Sequence, residues 1–80
     1  MSKIQYPYHV RLPKYIGPAI KDARKKKQWT QKDLAEYTAT SVKFISNIEQ
    51  GKSTAQLDKV LDLIRNVGLR VYLTEGEIDT

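Results

Sequence analysis

Thr30 to Gly51, TQKDLAEYTATSVKFISNIEQG, is the stretch that decides the fold. Thr30-Gln-Lys-Asp33 has the form of a capping box: the threonine hydroxyl accepts from the amide three residues on, and the acid there reaches back to the threonine amide. A helix therefore starts at this point, with Leu34 and Ala35 as its buried stripe. Thr38-Ala-Thr-Ser41 is poor in strong helix formers and rich in hydroxyls, so it breaks that helix and offers Thr40 or Ser41 as the next N-cap. The following helix runs to about Gln50 and stops at Gly51. Its Phe44, Ile45 and Ile48 recur at helical spacing and belong to the core. Lys43, Ser46, Asn47 and Gln50 are left on an outer face that is polar and free of acids.

Upstream, residues 1–16 contain Pro7, Pro13 and three of the five tyrosines without helical periodicity. They read as an extended arm, with a short strand over Tyr8 to Leu12. Tyr6, Tyr8 and Tyr15 either pack that arm on the body or stack on a partner. Gly17-Pro18 begins a first helix that extends from about Pro18 to Lys27, with Ile20 and Ala23 facing inward. The run Lys25 to Lys27 suits the negative pole of the helix dipole and reads either as a solvated helix end or as a phosphate contact.

Downstream, Ser53-Thr-Ala-Gln56 is a second capping box. Leu57, Val60, Leu61 and Ile64 then form the apolar stripe of a fourth helix that ends near Asn66 to Gly68. Leu63 and Val67 lie beside that stripe and widen it. Leu69 to Leu73 alternates strictly and reads as a strand. A lone strand leaves its ladder unpaired, so its partner is either the Tyr8 to Leu12 arm or the same strand of a second subunit. The twofold arrangement also employs Leu63 and Val67, which favours an interface of Leu63, Val67, Leu69, Val71 and Leu73 in a homodimer. The expected fold is mainly α, four helices with a short C-terminal β-strand. Its divisions are an arm at 1–16, a helical body at 17–68, a dimerisation strand at 69–74 and an acidic tail at 75–80.

The 80 residues suffice for a single modest core. With no cysteine there is no disulfide frame or thiolate metal site, and His9, the only histidine, has no acidic cluster near it in the sequence, so no metal and no cofactor are expected. No apolar run approaches the ~18 residues of a membrane span, and the first residues lack the apolar stretch of a secretory signal, which makes a cytoplasmic protein the expectation. Net charge is +5, but three of the nine acids lie in the last six positions; residues 1–74 carry 14 basic against 6 acidic residues, or +8. Such an excess points to a polyanionic partner, nucleic acid foremost. The basic residues are spread through the body instead of along one amphipathic helix, which argues against a membrane surface. No nucleophile and base pair or glycine-rich phosphate loop is present, so an enzyme is not expected.

Trp29-Thr-Gln-Lys-Asp-Leu-Ala35 followed by Phe44-Ile-Ser-Asn-Ile-Glu-Gln-Gly51 resembles the Cro/C1-type (XRE) helix-turn-helix family, whose recurring signature is "TQxxLA … ISxxExG". The resemblance covers residues 17–73. Within the family, "GLRVYL" and "TAQLDKVL" look most like the HipB-type antitoxins of toxin-antitoxin operons. This implies a lambda-repressor-like domain and a sequence-specific repressor of its own operon. It also implies a homodimer on palindromic double-stranded DNA, with a kinase-like toxin as partner. The alternatives are a stand-alone or phage-type regulator without a toxin, or a toxin-binding module in which DNA contact is secondary. By the same resemblance, Ser41, Val42, Lys43, Ser46 and Asn47 meet base edges, while Thr30, Gln31, Lys32 and Lys52 meet phosphates. Lys43 can donate to guanine O6 and N7, Asn47 can pair with adenine, and Val42 can meet a thymine methyl. Arg24 and Glu49 match a structural ion pair of the family; an acid left free on the reading helix would repel DNA. Two positions depart from the pattern, Gln28 and Ala39, where the family has glycine; a left-handed conformation there costs about 1 kcal/mol.

Overall fold

The computed structural model describes residues 4–52 and 56–76. Four α-helices follow a short 3-10 turn at Pro13–Tyr15: α1 (Ile16–Lys26), α2 (Gln31–Tyr37), α3 (Val42–Glu49) and α4 (Leu57–Asn66). None of the described helices is long and apolar enough to cross a membrane.

Local chemistry sets most of these boundaries. The 3-10 turn feeds straight into α1, which begins at Ile16, two residues ahead of the expected Pro18. Pro18 is tolerated as the third helical residue because the opening amides of a helix have no partner within it. The capping box at Thr30 is complete: the Asp33 amide donates to Thr30 Oγ1 at 3.0 Å, and the Thr30 amide donates to Asp33 Oδ2 at 2.8 Å. The Thr30 amide, and after it the Thr30 hydroxyl, hold the Asp33 carboxyl below the ordinary aspartate value. Ser41, not Thr40, caps α3, its Oγ accepting from the Phe44 amide at 3.0 Å. Gln28 and Ala39 take φ of +60° and +55°, so both turns keep the left-handed geometry without glycine. Residues 53–55, where most of the second expected capping box falls, lie outside the described residues, as do residues 77–80 of the acidic tail.

One core joins the four helices: Ile20 and Ala23 of α1, Leu34 and Ala35 of α2, Ile45 and Ile48 of α3, and Val60, Leu63, Ile64 and Val67 at α4. The last set corrects the expected register of α4. Leu57 and Leu61 are 65% and 44% exposed, whereas Leu63 is fully buried. Stripes 57/60/61/64 and 60/63/64/67 share the same helical spacing, and packing against α1 to α3 selects the second. Leu63 and Val67 are thus spent inside the chain's own core and cannot line a dimer interface, and Leu69 packs at the edge of that core.

The terminal strand is corrected as well. Among the described residues there is no β-ladder, and 69–76 has neither helix nor strand, because a strand needs a partner and a single chain offers none here. The Tyr8 to Leu12 arm does not pair with it. The arm is tied to the 3-10 turn instead, where the Tyr8 hydroxyl donates to the Tyr15 carbonyl at 2.7 Å, and Tyr6 lies under the Lys26 ammonium, 5.5 Å from the ring centroid.

The first turn of α1 meets the end of α3 at Gly17. A β-carbon there would lie 2.3 Å from the Ile48 carbonyl oxygen and 2.7 Å from that of Glu49. Alanine ordinarily favours a helix over glycine by about 0.5–1 kcal/mol, but backbone atoms this close cannot step aside. Gly17→Ala is expected to destabilise the fold by about 1–3 kcal/mol in urea unfolding, while Gly76→Ala, with open space around it, leaves the midpoint unchanged.

Candidate nucleic-acid interface

The turn between α2 and α3 fixes how the second helix is presented. Thr38 Oγ1 donates to the Leu34 carbonyl at 2.8 Å, and the Thr40 amide donates to the Ala35 carbonyl at 2.8 Å, so these two carbonyls near the end of α2 are satisfied as the chain leaves it. Ile45 and Ile48 then anchor α3 in the core. On the opposite side Val42, Lys43 and Gln50 are exposed, and Ser46 and Asn47 are half-buried. The Gln50 amide donates to Ser46 Oγ at 2.8 Å, so these two side chains present themselves as a unit. Sequence reading placed Gln50 on this face but did not include it among the site residues; its i, i+4 spacing from Ser46 was the available signal.

Glu49 is the one acid on α3, and it is withdrawn from the outer face. Arg24 Nε donates to Glu49 Oε2 at 2.7 Å and Arg24 Nη2 to Oε1 at 3.0 Å, a two-pronged pair with both side chains almost fully buried. Arg24 Nη1 also donates to the Trp29 carbonyl at 2.6 Å. Gln31 Nε2 donates to Glu49 Oε1 at 3.2 Å, so the residue expected at a phosphate is also tethered to the ion pair. Its second N–H remains for another acceptor.

The remaining sequence-identified residues frame this face. Thr30 and Gln31 lie at the start of α2, Lys32 is exposed beside them, and Ser41 lies at the start of α3. The Ser41 hydroxyl accepts in its cap yet keeps its own proton to donate. Lys52 is the third residue past α3, its amide donating to the Asn47 carbonyl at 2.9 Å. Lys25 to Lys27 are exposed; Lys26 pairs with Asp22 at 3.3 Å and the Lys27 ammonium sits 5.4 Å from the Trp29 ring centroid.

Two short helices joined by a tight turn, the second polar on its outer side, form the arrangement that puts one helix into a major groove. Residues 17–73 match the family described as a helix-turn-helix domain. The chain belongs to that family. It is an XRE-like helix-turn-helix protein, and DNA binding is the activity this domain supports. An uncharacterized HTH-type transcriptional regulator of Sinorhizobium fredii is 33% identical over 69 residues, covering 85% of this chain and 91% of the relative. The competence pilus inhibition repressor of Acinetobacter baylyi is 47% identical over 67 residues, covering 80% of this chain and 61% of the relative.

Removing one member of a buried pair leaves the other charge stranded in the core. Glu49→Ala is therefore expected to cost about 3–5 kcal/mol in chemical denaturation. Asp62→Ala, which breaks the solvent-exposed pair with Arg65, is expected to cost no more than about 1 kcal/mol in the same measurement.

Proposed function

We propose that this protein is a sequence-specific transcriptional repressor that acts as a homodimer, setting two copies of α3 into successive major grooves of a palindromic operator. The observation that carries this reading is the outer face of α3, where Val42, Lys43, Ser46, Asn47 and Gln50 reach solvent while Glu49 is bound to Arg24. The two relatives are named as a transcriptional regulator and a repressor, which supports the same reading. In this reading Lys43 donates to guanine, Asn47 pairs with adenine, Val42 meets a thymine methyl, and Ser41 and Ser46 assist. Thr30, Gln31, Lys32 and Lys52 hold phosphates, which fixes the register of the helix in the groove.

With Leu63 and Val67 spent in the core, a dimer draws on what is left outside. The 70–73 segment, with Val71 exposed and Leu73 at 97%, pairs across the twofold axis. That exposed segment also supports a second reading, a HipB-type antitoxin whose kinase-like toxin lands on Val71, Tyr72 and Leu73. The repressor named among the relatives favours the first.

Gel shifts on the DNA upstream of the gene test the reading. Each good base contact is worth about 1–3 kcal/mol, so the Lys43→Ala, Asn47→Ala double variant is expected to bind that DNA at least tenfold more weakly, and unaltered binding refutes the assignment of these two residues. Val71→Asp, at an exposed position, is expected to sediment as a folded monomer at concentrations where the unaltered chain is a dimer; a dimer in both refutes the pairing.

A further inference from the structure

We infer that Lys14, in the turn ahead of α1, is a phosphate-contacting residue that works as a pair with Lys52. This rests on the DNA-binding reading above and adds a residue from a part of the chain that the helix-turn-helix signature does not include.

The turn is seated against the end of α3. A β-carbon at Gly51 would stand 3.0 Å from the Lys14 β-carbon and 3.5 Å from its α-carbon and carbonyl oxygen, so Lys14 packs on the residue that immediately precedes Lys52. Three residues further on, Gly17 presses on the Ile48 and Glu49 carbonyls, and this second contact fixes the turn to α3. From the other side, the Tyr8 hydroxyl holds the Tyr15 carbonyl, and the Tyr15 amide closes the turn onto the Leu12 carbonyl at 2.9 Å. Lys14 is thus placed by the fold, although it lies 38 residues from Lys52 in sequence.

Its charge is available. Lys14 is exposed, and among the described residues it enters no salt bridge, in contrast to Lys26 with its Asp22; the Lys14 ammonium lies 5.7 Å from the Tyr15 ring centroid. Two ammonium groups at the exit of the reading helix suit the sugar-phosphate strand beside the groove, where they neutralise charge without reading sequence. A competing role is purely intramolecular, with Lys14 compensating the negative pole of α3.

The two roles separate in the salt dependence of binding. The full chain is titrated onto a short fluorescein-labelled duplex of arbitrary sequence at several salt concentrations, with fluorescence anisotropy as the readout and a thermal melt of each variant alongside. Lys14→Gln is expected to make the negative slope of log K against log salt shallower by about 0.9, the loss of one phosphate contact, and Lys14→Gln with Lys52→Gln by about twice that. Lys14→Arg restores the slope, and Lys59→Gln, on the exposed part of α4, leaves it unchanged. A Lys14→Gln slope equal to that of the unaltered chain overturns the inference, whatever the melt shows. Failure of the unaltered chain to bind either this duplex or the upstream DNA overturns the DNA-binding reading itself, and the role of Lys14 with it.

Discussion

The pairing of Arg24 with Glu49 governs the geometry of the rest. Taking two charges out of water costs several kcal/mol each, and the interior returns that only when geometry and hydrogen bonding are nearly complete. Here they are: Glu49 accepts from two nitrogens of Arg24 and one of Gln31, and Arg24 directs a third N–H at the Trp29 carbonyl. One carboxylate thereby links the body of α1, the end of α3 and the start of α2. The angle between α2 and α3 is the quantity a helix-turn-helix must control, and this network ties the start of α2 to the end of α3, the two ends opposite the turn that joins them.

Such bracing matters because the elements are short. Helices of 7 and 8 residues, as α2 and α3 are, have no independent stability in water, where isolated helices below about 12 residues are marginal. Their existence depends on end caps and on burial. Thr30 and Ser41 supply the caps, each worth about 1 kcal/mol, and Leu34, Ala35, Ile45 and Ile48 supply the burial. Left-handed Gln28 and Ala39 draw on the same reserve, each costing on the order of 1 kcal/mol that packing must offset.

What was legible in the sequence follows from how local its cause is. The boundaries of α2 and α3 came from caps and breakers within a few residues of where they act, and the structure places them there. The Arg24–Glu49 contact was legible only through family resemblance, since nothing across the 25-position separation announces it. The face of α4 was misjudged because Leu57 and Leu61 keep the same spacing to Val60 and Ile64 as Leu63 and Val67 do. Periodicity gives the width of an apolar surface, and only the neighbouring helices decide which edge of it is covered. Alternation at 69–73 failed for a related reason, since it describes one strand and says nothing of where a partner lies. The seating of Lys14 on Gly51 and of Gly17 on α3 had no sequence signal, because both arise between segments more than thirty residues apart.

The burial of Glu49 has one more consequence. It marks a boundary along α3: Ile45 and Ile48 belong to stability on one side, and Val42, Lys43, Asn47 and Gln50 belong to surface on the other. No side chain on the outer side is asked to hold the fold. On the proposed function, that face is an exchangeable cassette, free to be rewritten by substitution while the scaffold beneath it stays the same. A chain built this way can, on that proposal, change the DNA it prefers without passing through an unstable intermediate, so long as the carboxylate of Glu49 keeps its place.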